Sequence, residues 1–140
     1  LSDIIFDWQK MLSFESGSAP YLQYTYVRIE SILKKARNAK HELRYKNINK
    51  LLSEPQEINL MRQLTKFKEI LIETAETYRP NLVANYLDNL ATSFHGYYEC
   101  VPILKTEKKI SAARLNLISA VAIVIENGLK ILGIEVMEKM

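Results

Sequence analysis

An aromatic and basic stripe near the start of the chain has residue types suited to holding unpaired nucleotides. Tyr21, Tyr24 and Arg28 are spaced at i, i+3 and i+7, so a helix would place all three on one face. Tyrosine rings can stack on bases and an arginine can pair with phosphate, which is how proteins hold single-stranded nucleic acid. An ordinary role at the edge of a hydrophobic core remains open, and on spacing alone it is the favoured interpretation.

The residues capable of catalysis or metal binding are few and scattered. His41 and His95 are the only histidines, and neither has a cysteine or second histidine at ligand spacing. We expect His95 to form a surface hydrogen-bonded pair with Glu99. Cys100 has no nearby basic residue to lower its pKa, so we expect a packed thiol and not a nucleophile. The sequence therefore predicts no catalytic residue and no metal site.

A basic segment stands out from an otherwise balanced chain. The 19 basic and 16 acidic residues give a net charge of +3, but residues 34–50 contain seven basic residues against Glu42 alone. Such a segment suits a phosphate backbone or a solvated surface. Both interpretations remain open.

Composition predicts a single globular domain and argues against an all-β fold. The chain has 140 residues, 48% hydrophobic, with four glycines and four prolines, which is about half the usual combined share of these two types of roughly 12%.

A single cysteine fits a reducing compartment, and no secretory signal is recognisable. The most apolar stretch, from Leu115 to Ile125, is shorter than the roughly 20 residues that span a bilayer. A cytoplasmic fragment of a longer protein, with no membrane partner, is the resulting expectation.

Proline spacing divides the chain into pieces of helical length, because proline is tolerated in the first turn of a helix and not inside it. Apolar residues recur at intervals of three and four after Pro20, Pro55 and Pro80. The segment after Pro55 holds one helix or two joined by a kink near Phe67. A last helix runs from about Ile110 and ends at Gly133, and a short helix is expected from Ile4 to Leu12. The prediction is an all-α bundle of five or six helices.

Ordered runs of residues along nearly the whole chain form a recognisable pattern. These runs are Phe6-Asp7-Trp8, Leu12-Ser13-Phe14-Glu15, Pro20-Tyr21-Leu22-Gln23-Tyr24, Pro80-Asn81-Leu82-Val83-Ala84-Asn85-Tyr86-Leu87, Ala113-Arg114-Leu115, Asn127-Gly128-Leu129 and Leu132-Gly133-Ile134. Together they resemble the C-terminal domain of arginyl-tRNA synthetases, which are class I aminoacyl-tRNA synthetases. The resemblance implies a helical anticodon-binding domain of the DALR type over residues 1–140, with residues 1–18 as a junction toward a catalytic domain. The His-x-Gly-His and Lys-Met-Ser-Lys-Ser signatures of class I catalysis are absent from this sequence.

Five residues match the anticodon-contacting positions of the resembled family: Tyr21, Tyr24, Arg28, Tyr98 and Met140. Tyr97 replaces Tyr98 if the alignment slips by one residue. The resemblance implies that the rings hold unstacked anticodon bases, that Arg28 pairs with phosphate or a base edge, and that the chain end supplies an apolar wall.

The resemblance implies tRNA-Arg as the partner, through its anticodon stem-loop, together with a catalytic domain in the same chain. The parent enzyme would join arginine to tRNA using ATP and Mg, whereas this fragment would need no cofactor and would be inactive alone. A helical scaffold or protein-interaction module that has lost RNA binding is the alternative.

The sequence departs from the family pattern in places. Lys68 stands where a proline is frequent, Asn81 where a histidine is frequent and Met137 where a proline is frequent. The region of the DALR motif reads Ser111-Ala112-Ala113-Arg114 and lacks the acidic residue. These differences affect the expected local packing and loop shape, not the fold.

Overall fold

A computed structural model describes residues 7–15, 17–39 and 48–137, and within these ranges every regular element is helical. The elements are α1 (Trp8–Met11), α2 (Ala19–Asn38), a 3-10 turn (Ile48–Leu51), α3 (Pro55–Thr77), α4 (Asn81–Cys100) and α5 (Lys108–Ile131). The four long helices, α2 to α5, form the bundle. The all-α prediction is confirmed, but only four helices of the described residues are long, and a count of five or six is reached only when short elements are included.

The ends of the helices follow from capping residues and prolines. The Ser18 hydroxyl accepts a hydrogen bond from the Tyr21 N–H at 3.1 Å, which satisfies one of the free donors at the start of α2. Pro20 lies in the first turn of that helix, where a missing N–H removes no helical hydrogen bond. Pro55 begins α3 in the same way, and the α4 pattern stops just before Pro102.

The third helix is longer than the sequence pattern required. α3 continues unbroken from Pro55 to Thr77, so the segment forms one helix and not two. Lys68 explains part of this, since a lysine at that position keeps the backbone N–H that a proline would remove. The Phe67 ring stacks on the Tyr86 ring of α4, with 5.6 Å between ring centroids. That contact holds the middle of α3 against the bundle.

The core is built mainly around α5, which packs against α2, α3 and α4. Its fully buried side chains include Leu115, Ile118, Val121, Ile125 and Leu129. By length and composition alone, α5 is one helix in the described part of the chain that could cross a membrane, but 56% of its most apolar window is buried in the bundle. It has the packing of a core helix.

A buried ion pair joins the start of α3 to α5. Glu57 is fully buried, and its Oε1 accepts a hydrogen bond from Arg114 Nε at 2.7 Å. Its Oε2 accepts the backbone N–H groups of Ser53 and Glu54 at 2.9 and 3.0 Å. Arg114 also donates from Nη1 to the Pro102 carbonyl at 2.9 Å. One carboxylate therefore caps α3 and fixes the motif arginine of α5 at the same time.

Two glycines, one within α5 and one just after it, have structural roles. Gly133 has a φ of +75°, which suits glycine because it has no Cβ. Its N–H donates to the Lys130 carbonyl at 3.1 Å, and the Ile134 N–H donates to the Leu129 carbonyl at 2.9 Å. These two bonds form a Schellman motif that ends α5 and reverses the chain, as the sequence predicts.

The second glycine, Gly128, faces α4 at very close range. A methyl group at this position would lie 2.6 Å from Cδ2 of Leu87, well inside van der Waals contact. Leu87 is itself fully buried, so it has little room to move. The absence of a side chain at residue 128 lets α4 and α5 approach each other there.

Candidate nucleic-acid interface

The first half of α2 and the last two turns of α4 meet in a cluster of aromatic rings around one arginine. The Cζ atom of Arg28 lies 4.5 Å from the centroid of the Tyr98 ring and 5.8 Å from that of Tyr24. Arg28 Nη1 also donates to the Tyr24 hydroxyl at 3.3 Å. The structure thus brings together three of the five residues that the family resemblance implied, across a sequence separation of about 70 residues.

Both tyrosines of this cluster present rings to solvent. Tyr24 is 38% exposed and Tyr98 is 36% exposed, whereas Tyr97 is fully buried. Tyr97 lies on the core face of α4, where burial and the nearby Glu57 carboxylate raise the pKa of its hydroxyl. Of the two adjacent tyrosines, Tyr98 is therefore the one that can contact a ligand beside Arg28.

Tyr21 belongs to the same group but is held more tightly. Its hydroxyl lies 3.4 Å from Oγ1 of Thr92 on α4, and its ring is partly buried against the core. The stripe at positions 21, 24 and 28 lies on one face of α2, as the spacing predicts. One edge of that face packs against α4 through Tyr21, and the other edge is exposed to solvent through Tyr24. The stripe therefore lies at the edge of the core and is also partly exposed.

His95 contacts these rings, although the sequence predicts only a surface pair with Glu99 for it. Its ring centroid is 5.3 Å from that of Tyr21 and 6.1 Å from that of Tyr24, and it is nearly parallel to the Tyr24 ring, at 13°. Its Nε2 lies 2.9 Å from Oγ1 of Thr25. The predicted hydrogen bond with Glu99 is wrong; the bond that the structure records runs across to α2. Only the register of α4 against α2 reveals this, because residues 25 and 95 share no local pattern.

The segment before α2 reaches the cluster from the other side. The Phe14 ring contacts Tyr24 edge to face at 6.1 Å between centroids. The Gly17 N–H donates to Oδ1 of Asp88 on α4 at 2.6 Å, and the Ser18 hydroxyl donates within the turn to the Ser13 carbonyl. This turn is thereby fixed to both helices that carry the cluster.

The chain after α5 returns to α2 close to the stripe. Gln23 Nε2 donates to the Glu135 carbonyl at 2.7 Å, one residue before Tyr24 in sequence. A groove of about 540 Å³ lies beside this segment and is lined by Glu126, Lys130 and residues 133–136. Met140, the fifth residue implied by the resemblance, lies outside the described residues.

The basic segment is described only at its two ends. Lys34, Lys35 and Arg37 are exposed on the last turns of α2, and Lys50 is exposed in the 3-10 turn. Arg37 Nη2 is 3.4 Å from Glu30 Oε2 in an exposed pair. Residues 40–47 lie outside the described ranges. Lys34, Lys35 and Arg37 follow Arg28 along α2 toward its C-terminus.

Other chemistry has little support in the residues that the structure describes. Among them, no group of three or more His, Cys, Asp or Glu side chains is placed to hold a metal ion. Cys100, expected to be packed, is exposed at the end of α4, and that prediction is wrong. The helical pattern of α4 ends at this residue, so its side chain is left outside the core.

The arrangement of rings and cation suits one kind of ligand. Two exposed phenol rings and a planar guanidinium can stack against flat groups and attract negative charge. Two partly buried rings, Tyr21 and His95, support them from below. A ligand that combines unstacked planar rings with phosphate groups fits both features.

A family model described as "DALR anticodon binding domain" matches residues 22–140. Among curated proteins, the chain is 44% identical over 140 residues to an arginine–tRNA ligase of Buchnera aphidicola, covering 99% of this chain and 24% of that protein. It is 45% identical over 141 residues to an arginine–tRNA ligase of Colwellia psychrerythraea, covering 99% and 23%. The chain thus spans about a quarter of the length of these curated relatives.

Solved structures show the same likeness. The chain superposes on an arginyl-tRNA synthetase of Thermus thermophilus with a TM-score of 0.84 and 32% identity, covering 96% of this chain and 23% of that one. An arginyl-tRNA synthetase of Plasmodium falciparum gives a TM-score of 0.79 and 26% identity, covering 99% and 24%. In both cases the similarity covers a part of a much longer protein.

Proposed function

The chain belongs to the DALR anticodon binding domain family, and on that premise we propose that it binds the anticodon stem-loop of tRNA-Arg as the C-terminal part of an arginine–tRNA ligase. The observation that carries the proposal is the cluster formed by Tyr24, Arg28 and Tyr98. Two helices distant in sequence converge to expose two rings and one cation at a single place. Bases of a tRNA loop are unpaired and can lie against such rings.

The proposed RNA-contacting residues are Tyr21, Tyr24, Arg28, Tyr98 and Met140. Tyr24 and Tyr98 supply the stacking surfaces, each worth roughly 1–3 kcal/mol per base in such sites. Arg28 pairs with a phosphate or a base edge, moving from the ring faces that it covers in the free protein. Tyr21 holds the inner end of the stripe against α4.

The tail is the second part of the proposed site. The hydrogen bond from Gln23 to the Glu135 carbonyl and the Schellman reversal at Gly133 direct the chain from α5 back to α2. This supports a role for Met140 as an apolar wall of the same site. The exposed cations at the end of α2 and the rest of the Lys34–Lys50 segment are proposed to follow the phosphates of the stem.

The remaining features of the parent protein are proposed from the relatives. The catalytic domain would precede residue 1 in the same chain, with residues 1–18 as the junction and residues 1–140 as one helical domain. That domain would attach arginine to tRNA using ATP with Mg in the cytoplasm. The chain described here would bind RNA, need no cofactor and be inactive alone.

The test is a binding titration by fluorescence anisotropy with a labelled anticodon stem-loop of tRNA-Arg. We expect Tyr24→Ala and Tyr98→Ala each to weaken binding about ten-fold, within the range for loss of a stacked base. Tyr78→Ala is the matched control, because Tyr78 is a 90% exposed tyrosine at the end of α3, near the opposite end of α4 from Tyr98. Equal affinities for all four proteins would overturn the proposed site.

A loop of another sequence on the same stem separates anticodon recognition from general RNA binding. We expect weaker binding of that loop by the wild-type chain and a smaller difference for Tyr24→Ala. If no stem-loop binds at any salt concentration, the protein-interaction alternative replaces this function.

A further inference from the structure

His95 is enclosed by the other rings of the cluster. It is half-buried on α4, with Phe94 edge to face at 5.5 Å between centroids and Tyr21 and Tyr24 of α2 at 5.3 and 6.1 Å. Because its ring is nearly parallel to that of Tyr24, it forms part of the support under an exposed ring. It touches both Tyr21 and Tyr24, which no other described ring does within these contact distances.

A hydrogen-bond chain fixes the orientation of the imidazole. Thr25 is fully buried, and its hydroxyl donates to the Tyr21 carbonyl at 2.8 Å. A hydroxyl has one proton, so with that proton used Thr25 Oγ1 accepts from His95 Nε2–H at 2.9 Å. This assignment places the proton of the neutral ring on Nε2. Rotation of the ring would break the bond and leave a buried hydroxyl without its donor.

The charges around the imidazole favour the neutral form. Burial and the Arg28 guanidinium on α2 lower the pKa of His95 below its usual value, and Glu99 on α4 opposes them. Tyr21 and Tyr24 of α2 and Tyr98 of α4 are the other titratable groups of the cluster. A neutral ring beside Arg28 leaves that guanidinium free to lie over the tyrosines, whereas a second cation would repel it.

We propose that His95 is a positioning residue of the RNA-binding site: held by Thr25, its ring sets the orientation of Tyr21 and Tyr24 and the place of Arg28. This inference rests on the proposed RNA-binding function. The juxtaposition that carries it is one imidazole in contact with two site tyrosines, with its Nε2 fixed to the helix that bears them. His95 itself makes no contact with RNA in this arrangement.

Four variants of the whole 140-residue chain test the proposal. His95→Ala removes the ring and the hydrogen bond. His95→Gln keeps a planar group with an N–H donor near the place of Nε2 and cannot take up a proton. Thr25→Val keeps the His95 ring but removes the hydroxyl, and with it both the acceptor for His95 Nε2–H and the bond to the Tyr21 carbonyl. Ser93→Ala is the control, since Ser93 lies on the neighbouring face of α4 and accepts from Gln63 on α3 at 2.7 Å.

Affinity for the tRNA-Arg anticodon stem-loop is measured at a temperature where circular dichroism shows every variant folded. We expect His95→Ala to bind about ten-fold more weakly, as for one disordered stacking contact. Thr25→Val should fall between that variant and the wild type. His95→Gln should stay within about three-fold of the wild type, and Ser93→Ala should match it. Rescue by glutamine distinguishes positioning from loss of stability.

A measurement without RNA reports on the rings directly. With tyrosines labelled with ¹³C, both variants should shift the ring signals of Tyr21 and Tyr24, because both lose the imidazole ring 5.3 and 6.1 Å away. The ring orientations are therefore compared through nuclear Overhauser contacts, such as that between Phe14 and Tyr24, which we expect His95→Ala to lose and His95→Gln to keep. Unchanged contacts in His95→Ala would overturn the positioning role whatever the RNA data show.

The outcomes separate this inference from the proposed function. If Tyr24→Ala loses binding and His95→Ala does not, the role of His95 is wrong and the RNA-binding function stands. If His95→Gln loses as much affinity as His95→Ala, fixation through the Nε2 donor is wrong. If the wild-type chain binds no stem-loop, both proposals fail together.

Discussion

The Arg28 guanidinium lies over the Tyr98 ring, with Cζ 4.5 Å from the ring centroid. Arg28 comes from the third turn of α2 and Tyr98 from the last turn of α4, so this contact joins the two helices at their exposed edge. A cation over an aromatic face contributes about 0.5–1 kcal/mol at an exposed site. The contact is therefore weak enough for a base or phosphate to replace it.

Arg28 is expected to contribute both charge and shape. Arg28→Lys keeps the charge, so the slope of log affinity against log salt should be unchanged while affinity falls, because lysine cannot stack as a plane. Arg28→Ala should lower the affinity further and reduce the slope by about one. Binding titrations between low and moderate salt measure both quantities. A wild-type affinity for Arg28→Lys would show that only a point charge is needed.

The tail provides an independent prediction about Met140. Met140→Ala should weaken stem-loop binding about ten-fold if it forms an apolar wall of the site, comparable to losing a stacked base. Gln23→Ala removes the hydrogen bond to the Glu135 carbonyl and should weaken binding less. The thermal midpoint should change little for both. Gln56→Ala, in the first turn of α3, is the control, and loss of binding in that variant would show an indirect effect.

Removing one partner of the buried pair of Glu57 and Arg114 should strongly destabilise the domain. Arg114→Met leaves a buried carboxylate without its cation and should lower the free energy of unfolding by about 3–5 kcal/mol. Glu57→Gln combined with Arg114→Met should be less damaging than Arg114→Met alone, because no buried charge remains. Urea unfolding measures all three chains.

A surface pair provides the comparison for that experiment. Arg37 and Glu30 are 3.4 Å apart, with side chains 59% and 39% exposed. Arg37→Met should change the free energy of unfolding by less than about 1 kcal/mol. Similar losses for Arg37→Met and Arg114→Met would contradict the role assigned to burial.

Acid should destabilise the fold through His95. Burial and the Arg28 guanidinium lower the pKa of His95 below 6.5 in the folded state, so the unfolded chain binds the proton first as the pH falls. The contribution of neutral His95 to the free energy of unfolding is therefore complete above pH 6.5. It is lost as the pH falls through the pKa of His95 in the folded state. Thermal midpoints from pH 7.5 to pH 5 should fall further for the wild type than for His95→Gln. Parallel curves would contradict the assignment.

The fold was predictable because its determinants are local. Pro20, Pro55 and Pro80 mark three helix starts, Gly133 marks an end, and apolar residues repeat at helical spacing between them. The single helix over Pro55–Thr77 was not decided by this pattern, because its continuity depends on stacking of Phe67 on Tyr86 in α4.

The site was predictable only in part, for the same physical reason. Tyr21, Tyr24 and Arg28 share a helix, so their common face can be read from spacing. Tyr98 was predicted only from the family resemblance. Its position beneath Arg28 depends on how α4 packs on α2. His95 and the Glu57–Arg114 pair depend on contacts between residues 57 or more positions apart, which no local pattern encodes.

Gly128 has only a hydrogen atom as its side chain, and this determines how closely α5 can approach α4 at Leu87. A methyl there would meet Leu87 at 2.6 Å and act as a wedge between α4 and α5. Leu87 and Tyr98 both lie on α4, about 16 Å apart along the helix axis. We therefore expect Gly128→Ala to tilt α4 and to displace the aromatic rings at its C-terminal end. A substitution far from the proposed site would then change the affinity for RNA.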